Sequence, residues 1–301
     1  MSISKYKVLM EVLEQKSLTK AADTMGYTQS GISHTINSLE EEFGFELIVR
    51  GRTGAKLTKN GEQVITTIRE ILKWNEYLEQ QIAAVHGVEL GIVRIGTFTS
   101  VSVHWLPSII KKFQQDFPSI EIKLVEGDYR EIEEWILNGV IDCGFISAPT
   151  RNKFDVIPLH KDKMLVILPP EHHLGLHDVI HLNQIEKEPF IMPRQGSDDD
   201  INRVLRKAPF KPNIKFIAGD DYAIMAMVES GLGISILPEL VLKGQQRHIH
   251  KKELKGLNFR SLGIAVNSKK NLSPATKKFL TYVQDFLDEG LDPIESSPNS
   301  N

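Results

Sequence analysis

The chain of 301 residues has a single cysteine, Cys143. One thiol cannot form an intramolecular disulfide, a cysteine-based zinc cluster or a two-cysteine redox switch. Long hydrophobic runs are lacking too: no stretch reaches the ~18 apolar residues that a membrane span requires. The start at Met1 is charged early and has no uninterrupted apolar region of the signal-peptide kind. We therefore expect a cytoplasmic protein with no membrane partner.

An excess of charge of either sign is also lacking. The formal net charge is -3 at pH 7, from 36 basic and 39 acidic residues. This near balance favours no class of partner, and it neither indicates nor excludes nucleic acid. A hydrophobic fraction of 41% is ample for a packed core, and the length suggests two or three domains. The polar tail 291–301, rich in proline and serine, is predicted to be disordered.

Short catalytic motifs are absent. The sequence contains no G-x-S-x-G, H-E-x-x-H, G-x-x-x-x-G-K-[ST] or G-x-G-x-x-G segment. His172 and His173 are adjacent and should project in different directions, which makes them a poor metal pair. Cys143 falls within a predicted buried strand and is expected to be a core residue. We expect no enzyme activity, no cofactor and no metal site.

The first predicted domain, 1–57, is helical in pattern and ends in a short basic segment. Thr19 and Thr28 can cap the second and third helices, and Gly26 lies in the tight turn between them. Two helices joined by a short glycine-containing turn predict a helix-turn-helix. At about 100° per residue, the third helix has a narrow buried stripe: Ile32, Ile36, Leu39 and Phe43. A solvated helix in a small bundle is the alternative.

A polar face lies beside that stripe, in the half of the helix that usually enters the major groove of DNA. Between Arg50 and Gly61 there are four cations and no acid, which indicates a wing lying on the phosphate backbone. Local charge therefore favours DNA where global charge does not. The residues expected to contact DNA are Thr19, Thr28, Gln29, Ser30, Ser33, His34, Asn37, Arg50, Arg52, Lys56 and Thr58.

Residues 58–87 are predicted to form one long linker helix. Apolar residues recur along it at alternating spacings of four and three, which is the pattern of a heptad seam. A polar residue in such a seam, here Asn75, can fix register and partner number. The seam favours dimerisation over packing of the helix on its own domain. Its residues are Val64, Ile68, Ile71, Asn75, Leu78 and Ile82.

Residues 91–290 alternate strand-like and helix-like stretches, which predicts a mainly parallel α/β sheet. Ligands of such sheets bind at loops beyond the carboxyl ends of the strands, and a helix N-terminus there favours anions. Acidic residues 198–200 and 220–221 either compensate helix dipoles on a solvated face or bias the pocket away from anions, toward an amino or other cationic ligand. The candidate ligand contacts are Thr97, Thr99, Ser100, Val101, Ile146, Ser147, Arg194, Gln195, Gly196, Ser197 and Asp220.

Segments 18–22, 29–33 and 57–61, with Arg50 between the last two, resemble the winged helix-turn-helix of the LysR-type transcriptional regulators. The sequence departs from the family at Ile48, where phenylalanine is usual, and at His34, where a Gln-like residue is common. Segments 142–145 and 228–238 resemble the family's effector domain, whose fold is like that of periplasmic binding proteins. The resemblance therefore covers nearly the whole chain.

The resemblance implies an α+β and α/β multidomain protein: a winged helix-turn-helix, a long linker helix and an effector domain of two α/β subdomains. Subdomain I would be 91–161 plus 267–290, and subdomain II 162–266, with crossings near 161–163 and 264–267. The implied partners are double-stranded DNA, a small-molecule metabolite effector and further copies of the chain, as a dimer or a tetramer of two dimers. RNA polymerase is a further candidate partner.

The implied function is sequence-specific regulation of transcription, controlled by an effector bound between the subdomains. Within this family, one cysteine disfavours a disulfide-switched peroxide sensor and favours a metabolite sensor. The alternative is a solute-binding protein or small-molecule enzyme whose N-terminal helices serve only assembly.

Overall fold

The computed structural model describes residues 2–51 and 54–288. Arg52 and the tail predicted to be disordered lie outside them. The chain divides into two compact units, with the boundary between Val88 and Glu89. Across the described ranges, no helix combines the length and the apolar character that crossing a membrane requires.

The first unit consists of four helices and one hairpin. Its elements are α1 (Ile3–Gln15), α2 (Leu18–Met25), α3 (Gln29–Phe43), β1 (Ile48–Gly51), β2 (Gly54–Leu57) and α4 (Lys59–Val85). The strands β1 and β2 are antiparallel, with Ile48 opposite Leu57. This is the winged helix-turn-helix arrangement that the sequence predicts.

Short-range capping sets the ends of these helices. The hydroxyl of Ser17, not that of Thr19, accepts a hydrogen bond from the third residue of α2, so the cap predicted at Thr19 is wrong by two positions. Thr28 caps α3 by accepting from the Gly31 N–H at 3.1 Å. Gly44, at φ +76°, ends α3 in the left-handed conformation that glycine adopts at little cost.

The core of the first unit forms where α3 packs against α1 and α2. Ile32, Ile36 and Leu39 are fully buried, as the helical periodicity predicts. Ala21 and Ala22 are buried opposite them, where small side chains let two helices approach closely. The stripe on α3 is thus used for packing, which leaves its polar face to solvent.

The second unit begins with alternating strands and helices. Its elements are β3 (Gly91–Thr97), α5 (Thr99–His104), α6 (Leu106–Asp116), β4 (Ile120–Glu126), α7 (Tyr129–Leu137), β5 (Cys143–Ala148), β6 (Asp155–Leu168), β7 (Val179–Ile180), β8 (Pro189–Pro193), α8 (Asp199–Leu205), β9 (Asn213–Ala218), α9 (Asp221–Glu229), β10 (Ser235–Pro238), α10 (Glu239–Leu242), β11 (His250–Leu254), β12 (Phe259–Val266) and α11 (Pro274–Asp288).

Two α/β subdomains share the long strand β6. The first sheet has the order β4-β3-β5-β12-β6, in which β3 is parallel to β4 and β5 while β12 is antiparallel to its neighbours. In the second, β6 pairs with β10 and β11, and the parallel pair β8–β9 joins through a bridge between Phe190 and Ile234. Cys143 is fully buried in β5.

The second crossing between the subdomains differs from its prediction. Strand β6 pairs with β12 up to Lys163 and with β10 from Met164, so the first crossing lies there. The whole of β12, from Phe259, lies beside β5 and β6 in the first sheet. The chain therefore returns between Leu254 and Phe259, and the expected return at 264–267 is wrong. Pairing with strands about 100 residues away fixes this register, and local sequence does not encode such pairing.

Candidate nucleic-acid interface and effector cleft

The polar face of α3 is open to solvent. Gln29, Ser30, His34 and Asn37 are exposed, and Ser33 is half-buried beside the core stripe. These side chains offer hydrogen-bond donors and acceptors of the kind that base edges in a major groove require. Helix α3 can therefore present a reading face without disturbing its own packing.

The wing lies against this face. The Arg50 Nη2 donates a hydrogen bond to the Asn37 Oδ1 at 3.2 Å, which joins strand β1 to the recognition helix. Lys56, on the neighbouring strand, is exposed. Arg50 and Asn37, both predicted to contact DNA, are thus neighbours, and a phosphate beside Arg50 would lie near the polar face.

Two contacts hold the wing in place. The Ala55 N–H donates to the Lys16 carbonyl at 2.9 Å, across the turn between α1 and α2. Gly54 has φ +98°, and a β-carbon there would lie 2.3 Å from the Lys16 carbonyl oxygen, so only glycine permits this approach. The Glu40 carboxylate accepts from the N–H groups of Leu47 and Ile48 at 2.6 and 3.1 Å, ahead of the wing.

The acidic end of α3 is partly neutralised within the unit. Glu42 forms a salt bridge with Lys5, and this hydrogen bond lowers the pKa of the Glu42 carboxyl. Glu40 accepts hydrogen bonds from the backbone N–H groups where the wing begins, as described above. Of the acidic run, Glu41 is exposed without either role.

Thr58 has a structural role at the start of α4. Its hydroxyl donates to the Glu46 carbonyl at 2.7 Å and accepts from the Gly61 N–H at 2.9 Å, so its single proton is already used within the protein. The DNA contact expected of Thr58 stays a prediction. Thr28 likewise serves as a helix cap, whereas Thr19 is exposed on α2.

The predicted seam on α4 divides into two parts. Ile68 is buried in the core of its own unit and Val64 packs against that core, so the first two seam positions are not free for a partner. A heptad pattern does not distinguish the two kinds of packing. Farther along, Asn75 donates to Glu79 within the helix at 2.7 Å. The exposed apolar residues there are Ile71, Trp74, Leu78, Ile82 and Val85.

A cavity of about 440 Å³ lies between the two subdomains of the second unit. Five of the predicted contacts line it: Thr99, Ser100, Arg194, Ser197 and Asp220. Thr97, Val101 and Ile146 are instead buried in the first subdomain and do not line the cavity. Gln195 and Gly196 are not in the wall either. Sequence reasoning missed Phe98, Glu126, Asp128, Tyr129 and Arg260, and it considered Asp221 only as part of an acidic pair near the pocket.

Arg260 is the deepest charge in the cleft. It is 3% exposed and forms a salt bridge of 2.7 Å with Asp162, which is 2% exposed. Its remaining N–H groups donate to the Tyr129 hydroxyl at 2.9 Å and the Ser100 hydroxyl at 2.8 Å. Burial by itself lowers the pKa of the Arg260 guanidinium, but Tyr129 and Asp162 together raise it above its ordinary value. Arg260 is therefore charged, with its guanidinium paired to Asp162 and hydrogen-bonded to Tyr129 and Ser100.

Asp200 connects the subdomains. Its carboxylate accepts from the Tyr129 hydroxyl at 2.8 Å and the Ser147 hydroxyl at 2.6 Å, and it pairs with Arg203 at 2.5 Å. Burial raises the pKa of the Tyr129 phenol well above its usual range, so the phenol keeps its proton and donates. Ser147, a predicted effector contact, thus joins the two subdomains and does not line the cavity.

The other acids of the 198–200 run are also engaged. Asp199 accepts two hydrogen bonds from Arg151 at 3.0 and 3.1 Å, a second link between the subdomains. Asp198 accepts from the Gly196 N–H at 3.0 Å and from Asn202 at 2.9 Å. Neither a simple dipole compensation nor a free acidic cluster describes these three residues. They fasten α8 to its surroundings.

His172 and His173 converge on one carboxylate. Their rings stack at 4.6 Å, and their Nε2 atoms lie 3.1 and 3.7 Å from the Glu188 oxygens. The expectation that adjacent histidines diverge is therefore wrong here: His172 caps the short 3-10 helix that begins at His173, and both rings reach Glu188. His172 also accepts from the Leu174 N–H through Nδ1, which places its ring proton on the nitrogen facing Glu188.

Two family models match the chain. Residues 3–62 match the bacterial regulatory helix-turn-helix protein model of the lysR family, and residues 86–288 match the LysR substrate binding domain. Together they cover most of the described sequence. The chain belongs to the LysR family. It is a DNA-binding transcriptional regulator with an effector-binding domain, as the resemblance implies.

Whole-chain relatives agree with this assignment. The uncharacterized HTH-type transcriptional regulator YvbU of Bacillus subtilis is 35% identical over 290 residues, which is 95% of this chain and 99% of YvbU. Full-length OxyR C199D of Pseudomonas aeruginosa is 18% identical with a TM-score of 0.78, covering 95% and 94% of the two chains. Full-length CbnR complexed with its target DNA is 20% identical with a TM-score of 0.65, covering 95% and 99%. These two structural likenesses confirm the predicted fold class.

Proposed function

We propose that this LysR-family regulator reads DNA with the exposed face of α3 lying in a major groove. Gln29, Ser33 and His34 contact base edges, while Arg50 lies on the phosphate backbone. The observation that carries the proposal is the Arg50–Asn37 hydrogen bond, which places the wing's cation beside the reading face. Ser30 and Asn37 complete the polar face, and Thr19 and Lys56 contact backbone phosphates.

The effector binds in the cavity between the two subdomains. The links from Asp200 to Tyr129 and Ser147 hold the cleft in its present arrangement. A ligand that contacts both walls favours one angle between the subdomains over another, because a ligand shifts an equilibrium by its difference in affinity for the two states. That change reaches the DNA-binding domains through the assembled oligomer. Neither catalysis nor a cofactor is part of this proposal.

The assembled form is a dimer or a dimer of dimers, joined in part through α4. Trp74, Leu78 and Ile82 are each at least half exposed, and large apolar side chains grouped on one helix favour burial against a second helix. Two recognition helices then read a two-fold symmetric site. Such a regulator works where the DNA is, in the cytoplasm.

A salt-dependent gel shift with DNA from upstream of its own gene tests this proposal. The full chain should shift this DNA, and the variant with Gln29→Ala, Ser33→Ala and Arg50→Ala should not. A matched control replaces three residues of the effector unit: Gln195→Ala, Ser268→Ala and Arg206→Ala. If the wild type and both variants shift the DNA equally, α3 and the wing are not the interface, and assembly becomes the better account of these helices.

A further inference from the structure

The effector cleft is acidic. Its wall contains two guanidinium groups, but Arg260 is neutralised by Asp162, which leaves only Arg194 among the described residues. Of its carboxylates, Asp200 is neutralised by Arg203. Five remain: Glu126, Asp128, Glu131, Asp220 and Asp221. Several negative charges around one cavity raise the local concentration of cations and repel anions.

At two of the helix N-termini in the wall, those of α7 and α9, the backbone groups that would bind an anion are already occupied. Asp128 caps α7 by accepting from the N–H groups of Arg130 and Glu131 at 2.9 and 3.0 Å. Asp220 caps α9 by accepting from the Ala223 N–H at 2.8 Å. A helix N-terminus attracts anions through its unpaired N–H groups, and in these two helices the protein supplies the anion itself. A ligand carboxylate that approached either helix N-terminus would meet the carboxylate of Asp128 or Asp220 and not free N–H groups.

Two carboxylates of the wall have no hydrogen bond or ion pair with any described residue: Glu126, at the end of β4, and Asp221, at the start of α9. They come from opposite subdomains. Burial raises the pKa of the Asp221 carboxyl, Asp220 raises it further, and Arg260 lowers it. A partly buried carboxylate without a partner gains most from a cation that enters its surroundings.

We propose that the effector of this cleft is a small organic cation that carries a protonated amine, with the ammonium group held by Asp221 and Glu126. The inference rests on the proposed function, because it assumes that this cavity is the effector site. An ammonium group brings several N–H donors and one positive charge, which matches two unpaired carboxylates that line one cavity from opposite subdomains. Arg194 is then available for a second polar group of the same compound.

Matched small molecules test the proposal on the full chain. The probes are butanediamine, aminobutanoate, butanedioate and butanediol, which share one carbon chain and differ only in their end groups, with the same series at neighbouring chain lengths. The readouts are the midpoint of thermal unfolding and the dissociation constant from calorimetry at neutral pH. A ligand that binds only the folded state raises the midpoint. Amine-bearing members should raise it, and the dicarboxylates and diols should not.

Asp221→Asn supplies the decisive variant, since it keeps the shape of the side chain and removes its charge. It should weaken amine binding by roughly ten- to hundredfold, while Glu121→Gln, an equal charge change on exposed β4, should leave binding unchanged. The unfolding midpoint of the free variant checks that it folds. If a dicarboxylate raises the midpoint, for instance at the uncapped start of α5, or if no amine of any length does, the proposal is wrong.

DNA binding separates this proposal from the one it rests on. If an anion binds and changes the DNA affinity, the proposed function, control by an effector, is supported. The proposal that the effector is a cation is then contradicted. If an amine binds the wild type, does not bind Asp221→Asn and leaves the DNA affinity unchanged, the cation-binding site is supported. Control of DNA binding through that site is then contradicted.

Discussion

Gly196 lies against Asp128 across the effector cleft. A β-carbon added to Gly196 would lie 2.3 Å from the Asp128 Oδ2, and Gly196 has φ +107°. The Asp128 carboxylate cannot turn away without cost, because its other oxygen is held by two N–H groups at the start of α7. Since the two residues belong to different subdomains, their approach depends on how far the cleft is closed.

Gly196→Ala should therefore keep the cleft from reaching this degree of closure. We expect weaker effector binding, and a loss of about 1–2 kcal/mol in stability from the left-handed backbone of an alanine. Gly219→Ala is the matched control, since residue 219 also lines the cavity and an added β-carbon there meets nothing within 4 Å. Calorimetry with one effector on both variants checks this. Equal affinities would show that the Gly196–Asp128 approach does not matter for binding.

Arg50→Ala should weaken binding to every DNA sequence by a similar factor. We propose that Arg50 lies on the phosphate backbone, and each phosphate contact releases counterions, so the slope of log affinity against log salt should fall by about 1. Arg206→Ala, an exposed arginine of the effector unit, is the matched control. Fluorescence anisotropy over a series of salt concentrations measures both slopes. A slope that Arg50→Ala leaves unchanged would remove Arg50 from the interface.

His34→Ala should act on specificity and not on the salt slope. His34 is exposed on the reading face of α3, and a base contact discriminates against a wrong base by about 1–3 kcal/mol. Affinity for the preferred site should fall toward that for altered sites, while binding to random DNA stays as it was. Selection from a randomised DNA library measures the change. An unaltered base preference would mean that His34 faces no base.

Asp162→Asn should destabilise the effector unit, because it leaves the Arg260 guanidinium buried with no carboxylate to pair with. Removing one partner of a buried pair costs about 3–5 kcal/mol. The double variant Asp162→Leu with Arg260→Met removes both charges and should recover most of that loss. Urea unfolding of the two variants and the wild type gives the comparison. A single variant as stable as the wild type would show that Arg260 finds enough other partners.

Asp221 predicts a pH dependence of stability. The folded state raises the pKa of this carboxyl through burial, so the native state binds its proton more tightly than the unfolded state does. Its contribution is most favourable at low pH and is lost as pH rises from the unfolded value of about 3.9 through the folded pKa. The wild type should therefore lose stability relative to Asp221→Asn over that window. Urea unfolding of both proteins at several pH values measures this difference, and a difference that does not change with pH would contradict the prediction.

Features encoded over a few residues were predictable from the sequence. The cap at Thr28 and the buried stripe of Ile32, Ile36 and Leu39 depend on near neighbours, and they defined the helix-turn-helix. The basic wing followed from composition alone. The cap at Ser17 was missed because Ser17 and Thr19 are both residues that favour this position.

Features set by distant contacts were not predictable. Arg260 and Asp162 lie 98 positions apart in the sequence, and Ser147 and Asp200 lie 53 positions apart. No local sequence pattern therefore predicts the hydrogen-bond network at the cleft. The return of the chain near Phe259 was misplaced for the same reason, since sheet pairing decides it. On α4 one heptad pattern covers two kinds of packing, against the helix's own domain and on an exposed apolar face. Only the burial of Ile68 in the structure distinguishes the first kind from the second.

The most direct test of the account measures DNA affinity and cleft occupancy on the same samples. Labelled DNA from upstream of the gene is titrated with the full chain across a set of metabolites, and the midpoint of thermal unfolding is recorded for each. The account predicts that compounds raising the midpoint also change the DNA affinity, and that Gly196→Ala diminishes both effects together. Compounds that bind in the cleft and leave DNA affinity unchanged would contradict it.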